Sequence, residues 1–365
     1  MATLCRDLCD EIVGEEWWAG AAKRHWSHPT DATDTKMMAL TMTQRVLTLD
    51  PNNYQRHRLH TQERNWAETN CYVDLWIELL HAWGLEPLAA MPFTLAIDFE
   101  GDQWTFFKFP LADLWELYGL DVQELAIWRP VLSHVEEQVG RGRPVLVELD
   151  SYYLPDTAGT AYKIQHQKTT VAAIEIDLNG QRLGYLHGQG YYELHGDDFV
   201  NIFNLEGVKH PTVLPPYAEF VKRRSSTSLA GDDLLQASLK LLRRQLPLLP
   251  EANPFAKFKP RFEADLQWLA TEPIETFHQY SFATLRQFGS CYEVAATYLS
   301  WLQSHGVAQL ERPIAAFTEL SANAKTMQFQ LARAMARKKP MDLSILDQMA
   351  TTWGSAMDAM REVFA

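Results

Sequence analysis

Asn179-Gly180 stands between two runs, Thr169-Thr-Val-Ala-Ala-Ile-Glu-Ile176 and Arg182-Leu-Gly-Tyr-Leu186, that are apolar and rich in strand formers. An Asn-Gly pair tolerates positive φ and turns the chain back with the twist that antiparallel strands need, so this dipeptide predicts a hairpin. Pro144-Val-Leu-Val-Glu-Leu-Asp150 predicts a buried strand before it. Phe93-Thr-Leu-Ala-Ile-Asp-Phe99, Glu-Gly-Asp and Trp104-Thr-Phe-Phe107 predict a second hairpin. Elsewhere the period changes. Tyr72, Val73, Leu75, Trp76, Leu79, Leu80 and Trp83 recur at helical spacing and stop at Gly84. Residues 111–118 and 121–139 also carry a helical pattern, and beyond about Ser225 the pattern is helical to the end. The fold class is therefore α+β. Residues 1–60 are an N-terminal extension with an edge strand over Arg45-Val-Leu-Thr-Leu49. Residues 61–222 form the α+β domain, and residues 223–365 a helical C-terminal domain.

Composition narrows the partners. With 365 residues, 47% of them hydrophobic, the chain can bury a large core. A net charge of −13 disfavours nucleic acid, whose phosphates need a basic face, and suits a cationic amine. An acidic protein would need a local cluster such as Lys222-Arg-Arg224 or Arg337-Lys-Lys339. The chain shows neither a signal-peptide pattern at Met1 nor an apolar run of membrane-spanning length, so the expected location is the cytoplasm. Cys5, Cys9, Cys71 and Cys291 form neither a disulfide framework nor a zinc set with the histidines. Cys5 and Cys9 are expected to be free thiols, and Cys291, within a helical run, to be core.

Cys71 differs from these. It begins the long helical pattern behind Asn70, a capping residue, and a helix N-terminus favours a thiolate. Nucleophilic attack on acyl carbon also needs a base, and His166 lies just before the strand that starts near Thr169. Helix-opening Cys, then sheet, then strand-opening His is the chain order of papain-like enzymes. A third group should orient the imidazole. Asp150 at a strand end, His187 and Gln189 are the candidates, with Asp150 favoured for a charge-assisted bond. The oxyanion hole would use the Cys71 N–H with Asn70 or Gln62. Candidate substrate contacts are Tyr153, Lys168, Trp104 and Arg286. Against each stands a plainer role: turn former for Asp150, strand propensity for Lys168-Thr-Thr170, sheet core for Trp104, a structural ion pair for Arg286. A metal site through His166, His187 and Asp150 matches no familiar ligand spacing, so no bound metal or cofactor is expected.

The run Asp150-Ser-Tyr-Tyr-Leu-Pro-Asp, then Tyr162 and His166, then an apolar strand and a hairpin, is similar to the N-terminal domain of butirosin-type acyltransferases. Those papain-like enzymes move an aminoacyl unit from a carrier-protein thioester to an amine. Asn70-Cys-Tyr-Val-Asp-Leu-Trp, Leu154-Pro-Asp-Thr-Ala-Gly-Thr-Ala-Tyr, His166-Gln-Lys-Thr-Thr and Tyr280-Ser-Phe-Ala-Thr-Leu-Arg-Gln resemble a bacterial family of uncharacterised proteins. Its genes tend to lie beside stand-alone aminoacyl-carrier-protein ligases. The resemblance implies a papain-like core and acyl transfer around a phosphopantetheine arm supplied by an aminoacyl carrier protein. It also implies contact with the ligase and a small amine acceptor. The papain-pattern Asn or Asp after the histidine is missing. Hydrolysis of the same thioester or of a peptide, and a non-catalytic carrier-binding role, are the competing expectations.

Overall fold

The computed structural model of the chain describes residues 43–61, 63–204, 215–224, 228–337 and 340–364. The expectations for residues 1–42, with Cys5 and Cys9, and for Gln62 lie outside the described residues. In chain order the elements begin with β1 (Gln44–Arg45), α1 (Cys71–Ala82), α2 (Leu111–Tyr118), β2 (Leu120–Glu124) and α3 (Val131–Gly140). They continue through β3 (Val145–Asp150), β4 (Lys168–Asp177), β5 (Arg182–His187), β6 (Gly190–His195), α4 (Gly196–Ile202) and β7 (Ala218–Arg223). Helices follow: α5 (Gly231–Gln245), α6 (Pro254–Leu269), α7 (Ile274–Ser281), α8 (Gln287–Ser304), α9 (Glu311–Arg337) and α10 (Ser344–Phe364). The class is α+β. Among the described residues every ladder of the sheet is antiparallel, in the order β2-β7-β3-β4-β5-β6, with β1 added to the end of β4.

The expected central hairpin is β4–β5, but its loop is longer than two residues. Asp177 pairs with Arg182, Asp177 Oδ1 accepts from Gly180 N at 2.8 Å, and the positive φ falls on Gln181 (+48°). That is a four-residue connection, in which the Asp177 carboxylate closes the turn. Two other expectations change. Residues 87–95 are buried without alternation, as two 3₁₀ turns (Pro87–Ala90 and Pro92–Ala96), each opened by its proline. α5 and α8 pack against the second turn and supply no strand to pair with, so only one bridge, Phe99–Trp104, remains of the second hairpin. Residues 121–124 belong to β2 rather than to a helix. Gly119, at φ +65°, ends α2, and Leu120 and Val122 then alternate with Asp121 and Gln123 against β7. The edge strand expected over 45–49 is confined to Gln44–Arg45.

The sheet is covered on both faces. Leu146, Ala172, Ile174, Leu186 and Val221 pack under α1, while Val145, Val147, Val171, Ala173 and Tyr185 pack with Val135 and Val139 of α3 and Phe199 of α4. The core on the α1 side runs on without a break into α5–α10, so Trp76 and Phe109 share it with Phe255, Phe258 and Phe288. Among the described residues no helix is long and apolar enough to cross a membrane.

Helix α1 is buried all round, Tyr72 to Leu80, and that stretch includes Asp74 and Glu78. Buried carboxylates need partners. His60 supplies them: Nε2 donates to Asp74 Oδ1 at 3.2 Å and Nδ1 to Glu78 Oε1. Thr69 N and Oγ1 also bind Asp74, and Tyr54 Oη donates to Glu78 Oε2 at 2.6 Å, so segment 54–70 is fastened along the helix. Burial alone would lower the His60 pKa; the hydrogen bonds and charges of Asp74 and Glu78 outweigh it and raise the pKa to about 9. His57, three residues earlier, takes the opposite course: burial, then the charges of His81 and His60, push it down to about 3. It stays neutral, and its Nδ1 accepts from Leu59 N at 3.2 Å.

A raised histidine pKa stabilises fully below the ordinary 6.5 and loses that contribution as pH climbs through 9; a lowered one is harmless above 6.5 and costs stability as pH falls toward 3. The pair therefore sets an optimum near pH 6.5. Chemical denaturation of the wild type should show the unfolding free energy falling by up to roughly 3 kcal/mol between pH 6.5 and 9. His60→Gln should flatten that limb, and parallel profiles for the two proteins would refute the assignment.

Candidate active site

Asn70 begins α1. Its backbone is extended (φ −135°, ψ 158°), its Oδ1 accepts from Val73 N at 3.0 Å, and its Nδ2 donates to Phe107 O at 3.0 Å. The amide oxygen and one of the two Nδ2 hydrogens are thus committed, to the cap and to the Phe107 carbonyl. Cys71 is the first helical residue, so its own N–H has no intrahelical acceptor. The Cys71 thiol is half-buried and donates to Thr170 Oγ1 at 3.8 Å, a weak contact.

Strand parity decides what else shares this face. Thr170 pairs with Glu148 and Lys168 with Asp150 across the β3–β4 ladder, and cross-strand partners point the same way. Glu148, Asp150, Lys168 and Thr170 therefore lie on the α1 side. Lys168 Nζ is held by Glu148 Oε1 at 2.6 Å, with the lysine side chain still exposed. Asp150 Oδ2 accepts from His166 Nδ1 at 2.6 Å, while its Oδ1 accepts from Tyr152 N at 3.0 Å and Gln167 N at 3.2 Å. The carboxylate closes a turn and orients an imidazole at once. Bonding at Nδ1 leaves Nε2 as the outward nitrogen. Tyr152 stacks on the ring (centroids 4.3 Å apart, planes 16° apart), and Tyr153 meets it edge-on at 6.2 Å. The His166 side chain is 66% exposed.

No hydrogen bond joins Cys71 to His166. Asp150 lies two ladder positions from the Glu148–Thr170 pair, about 7 Å along the strands. Thr170 Oγ1 lies beneath the sulfur, while the imidazole is fixed by Asp150 and by Tyr152, over whose ring Lys163 reaches from its ion pair with Asp198 of α4. His187 is on the other face with Tyr185. Its Nδ1 binds Asp156 Oδ2 at 2.6 Å, and its Nε2 accepts from Thr169 Oγ1 at 2.8 Å. Both ring nitrogens are used, so His187 neither supports Cys71 nor joins His166 and Asp150 around a metal. Among the described residues no group of three or more His, Cys, Asp or Glu side chains is arranged to hold a metal ion.

Trp104 is 3% exposed and packs among Phe255, Phe258 and Phe288, with the Phe288 centroid 4.6 Å away, so it is core and lines no acyl pocket. Arg286 comes from a π-helical turn, Phe282–Arg286, between α7 and α8. It donates to Thr69 O at 3.0 Å and to Glu68 Oε2 at 3.3 Å, directly ahead of the Asn70 cap. Glu68 Oε1 in turn accepts from Gln189 Nε2 at 2.9 Å, joining the β5–β6 turn to the same rim. Lys222 and Arg224 both face Asp121, at 3.9 and 2.8 Å, so one carboxylate offsets part of that cluster's charge. Thr170 and Tyr152 were missed; the step of two from Ala172, a core residue under α1, was the available signal for Thr170.

Residues 55–223 match the model of the DUF1839 N-terminal domain, and residues 231–362 that of the DUF1839 C-terminal domain. The chain belongs to the DUF1839 family. The first match ends on the last residue of β7 and the second begins on the first residue of α5, so the DUF1839 N-terminal domain carries Cys71 and His166 while the C-terminal domain carries Arg286. No curated protein matches the chain.

Cys291 is 0% exposed, donates to Thr94 O at 3.3 Å, and has its thiol pKa pushed up by burial. Iodoacetamide near neutral pH should therefore alkylate Cys71 well before Cys291, as read by peptide mapping after timed quenching. Equal rates in the folded protein would contradict this difference in burial.

Proposed function

We propose that this DUF1839 protein is a papain-like, cysteine-dependent acyltransferase that takes an aminoacyl group from a carrier-protein phosphopantetheine thioester. The observation that carries the reading is the 2.6 Å His166–Asp150 hydrogen bond at the end of the sheet where α1 presents Cys71. Cys71 as thiolate adds to the thioester carbonyl, with the Cys71 N–H donating to the oxyanion. The pantetheine sulfur leaves and takes a proton from the His166 imidazolium, whose charge Asp150 stabilises. An amine then adds to the Cys71 thioester, gives its proton to His166, and releases the Cys71 thiolate. The exposed ring would close about two ladder positions to reach sulfur and substrate, consistent with the looser geometry of unliganded acid–base pairs. The proposed partners are the aminoacyl carrier protein and its ligase, and the proposed location is the cytoplasm.

One observation favours a second reading. A His166 side chain 66% exposed admits water as readily as an amine, so hydrolysis with the same residues is the alternative.

Intact-mass analysis after mixing with an aminoacyl-loaded carrier should reveal an acyl adduct on the wild type and none on Cys71→Ala. His166→Ala should slow its formation by about 10²–10⁴-fold. Equal unloading of the carrier by wild type and Cys71→Ala would end the proposal.

A further inference from the structure

Arg286 has a cationic neighbour that the mechanism above does not use. Lys325, on α9, holds its Nζ 4.2 Å from the Trp66 ring centroid and 5.9 Å from that of Phe329. Burial lowers the Lys325 pKa, and repulsion from Arg286 lowers it further. Only Glu293 offers compensation, and its carboxylate is already taken by Asn65 N at 2.9 Å, Trp66 N at 3.0 Å and Arg64 Nη2 at 3.2 Å. Among the described residues Lys325 has no ion pair and no hydrogen bond. Arg286 is partly balanced by Glu68 and stacks on Phe282 at 4.7 Å. Two cations on elements that pack together, the π-turn and α9, one of them without an anion, repel each other at a cost that a bound anion removes.

The surroundings point to the kind of anion. Phe282 and Phe329 remain 42% and 63% exposed beside the two cations, so an apolar wall adjoins the charges. Trp66, 4% exposed, is a fixed floor: its Nε1 donates to Ser321 Oγ at 3.0 Å. Its ring lies so close over α8 that a Cβ on Gly289 would come within 2.6 Å of it. Arg286 also holds Thr69 O, and Thr69 is within about 7 Å of Cys71 along the chain. Arg286 is therefore tied to the backbone two residues ahead of the thiol, and Lys325 to Trp66 of the same segment.

We propose that Arg286 and Lys325 bind the phosphate of a phosphopantetheine arm, with Phe282 and Phe329 flanking its chain, so that the DUF1839 C-terminal domain anchors the thioester delivered to Cys71. The assignment of the arm rests on the acyl-transfer reading. On the carrier the arm's phosphate is a diester with one negative charge, which matches the unpaired Lys325 ammonium because Arg286 is already partly balanced by Glu68, and arginine can engage the two free phosphate oxygens through parallel hydrogen bonds. The π-turn supplies the position: it sets Arg286 toward Thr69 rather than along the ordinary helix path.

The test is calorimetric, on Cys71→Ala protein so that no acyl or disulfide chemistry intrudes, with 4′-phosphopantetheine and pantetheine as probes. The expected result is about tenfold tighter binding of the phosphorylated probe, lost in Lys325→Met and kept in Lys325→Arg, each variant first checked by thermal melting. Equal affinity for the two probes, binding of neither, or phosphate preference intact in Lys325→Met overturns the proposal. A dephosphorylated pantetheine thioester that still acylates wild-type Cys71 isolates the nucleophile from the anchor, so failure of one is distinguishable from failure of the other.

Discussion

Two carboxylic acids on a helix with no exposed side are the constraint from which the rest of the DUF1839 structure follows. Asp74 and Glu78 lie in a stretch of α1 that is otherwise apolar, and an unpaired charge there would cost several kcal/mol. His60 bridges both and offsets one of the two charges, while Tyr54, His57 and Thr69 bond the same carboxylates, which fastens the chain ahead of the helix and delivers Asn70 to its capping position. Cys71 is the next residue. The place of the thiol thus depends on an ionic arrangement buried one to two turns further along the same helix.

The sheet performs the corresponding task for the imidazole. β3 and β4 pair in register to their last residues, so Asp150 ends up opposite Lys168 with its carboxylate free to turn back on His166. A one-residue slip would send Asp150 and Thr170 to the α3 face. What prevents it is the unbroken apolar set on both faces, Leu146 and Ala172 toward α1, Val147 and Val171 toward α3.

The sequence was legible where a local rule and the tertiary outcome agree. Asn70 before Cys71, Gly84 after the helix, and the apolar runs about Asn179-Gly180 each specify their own structure within a few residues. Asp150 as partner of His166 followed from its strand-end place. Legibility failed where a distant segment decides. Residues 93–99 look strand-like until α5 and α8 pack against them, and β2 becomes a strand because β7 lies beside it, about a hundred residues away in the chain. Trp104 looked available because nothing local tells of Phe255 and Phe288. His187 looked available to orient the His166 ring because parity across a bulged ladder, with its shift between Ala173 and Glu175, is not countable from one strand.

The π-turn at Phe282–Arg286 has a consequence for how this chain tolerates change in length. Such a turn is an ordinary helix carrying one surplus residue, and each residue rotates a helix by about 100°. Deleting a single position between Phe282 and Arg286 would restore regular winding and swing the guanidinium off the Thr69 carbonyl, while leaving α7 and α8 intact as helices. Leu285 of this turn and Phe277 and Phe288 on either side of it are buried in the main core, so a one-residue change of length here would shift the Arg286–Thr69 contact and the packing of α7 against α8 together.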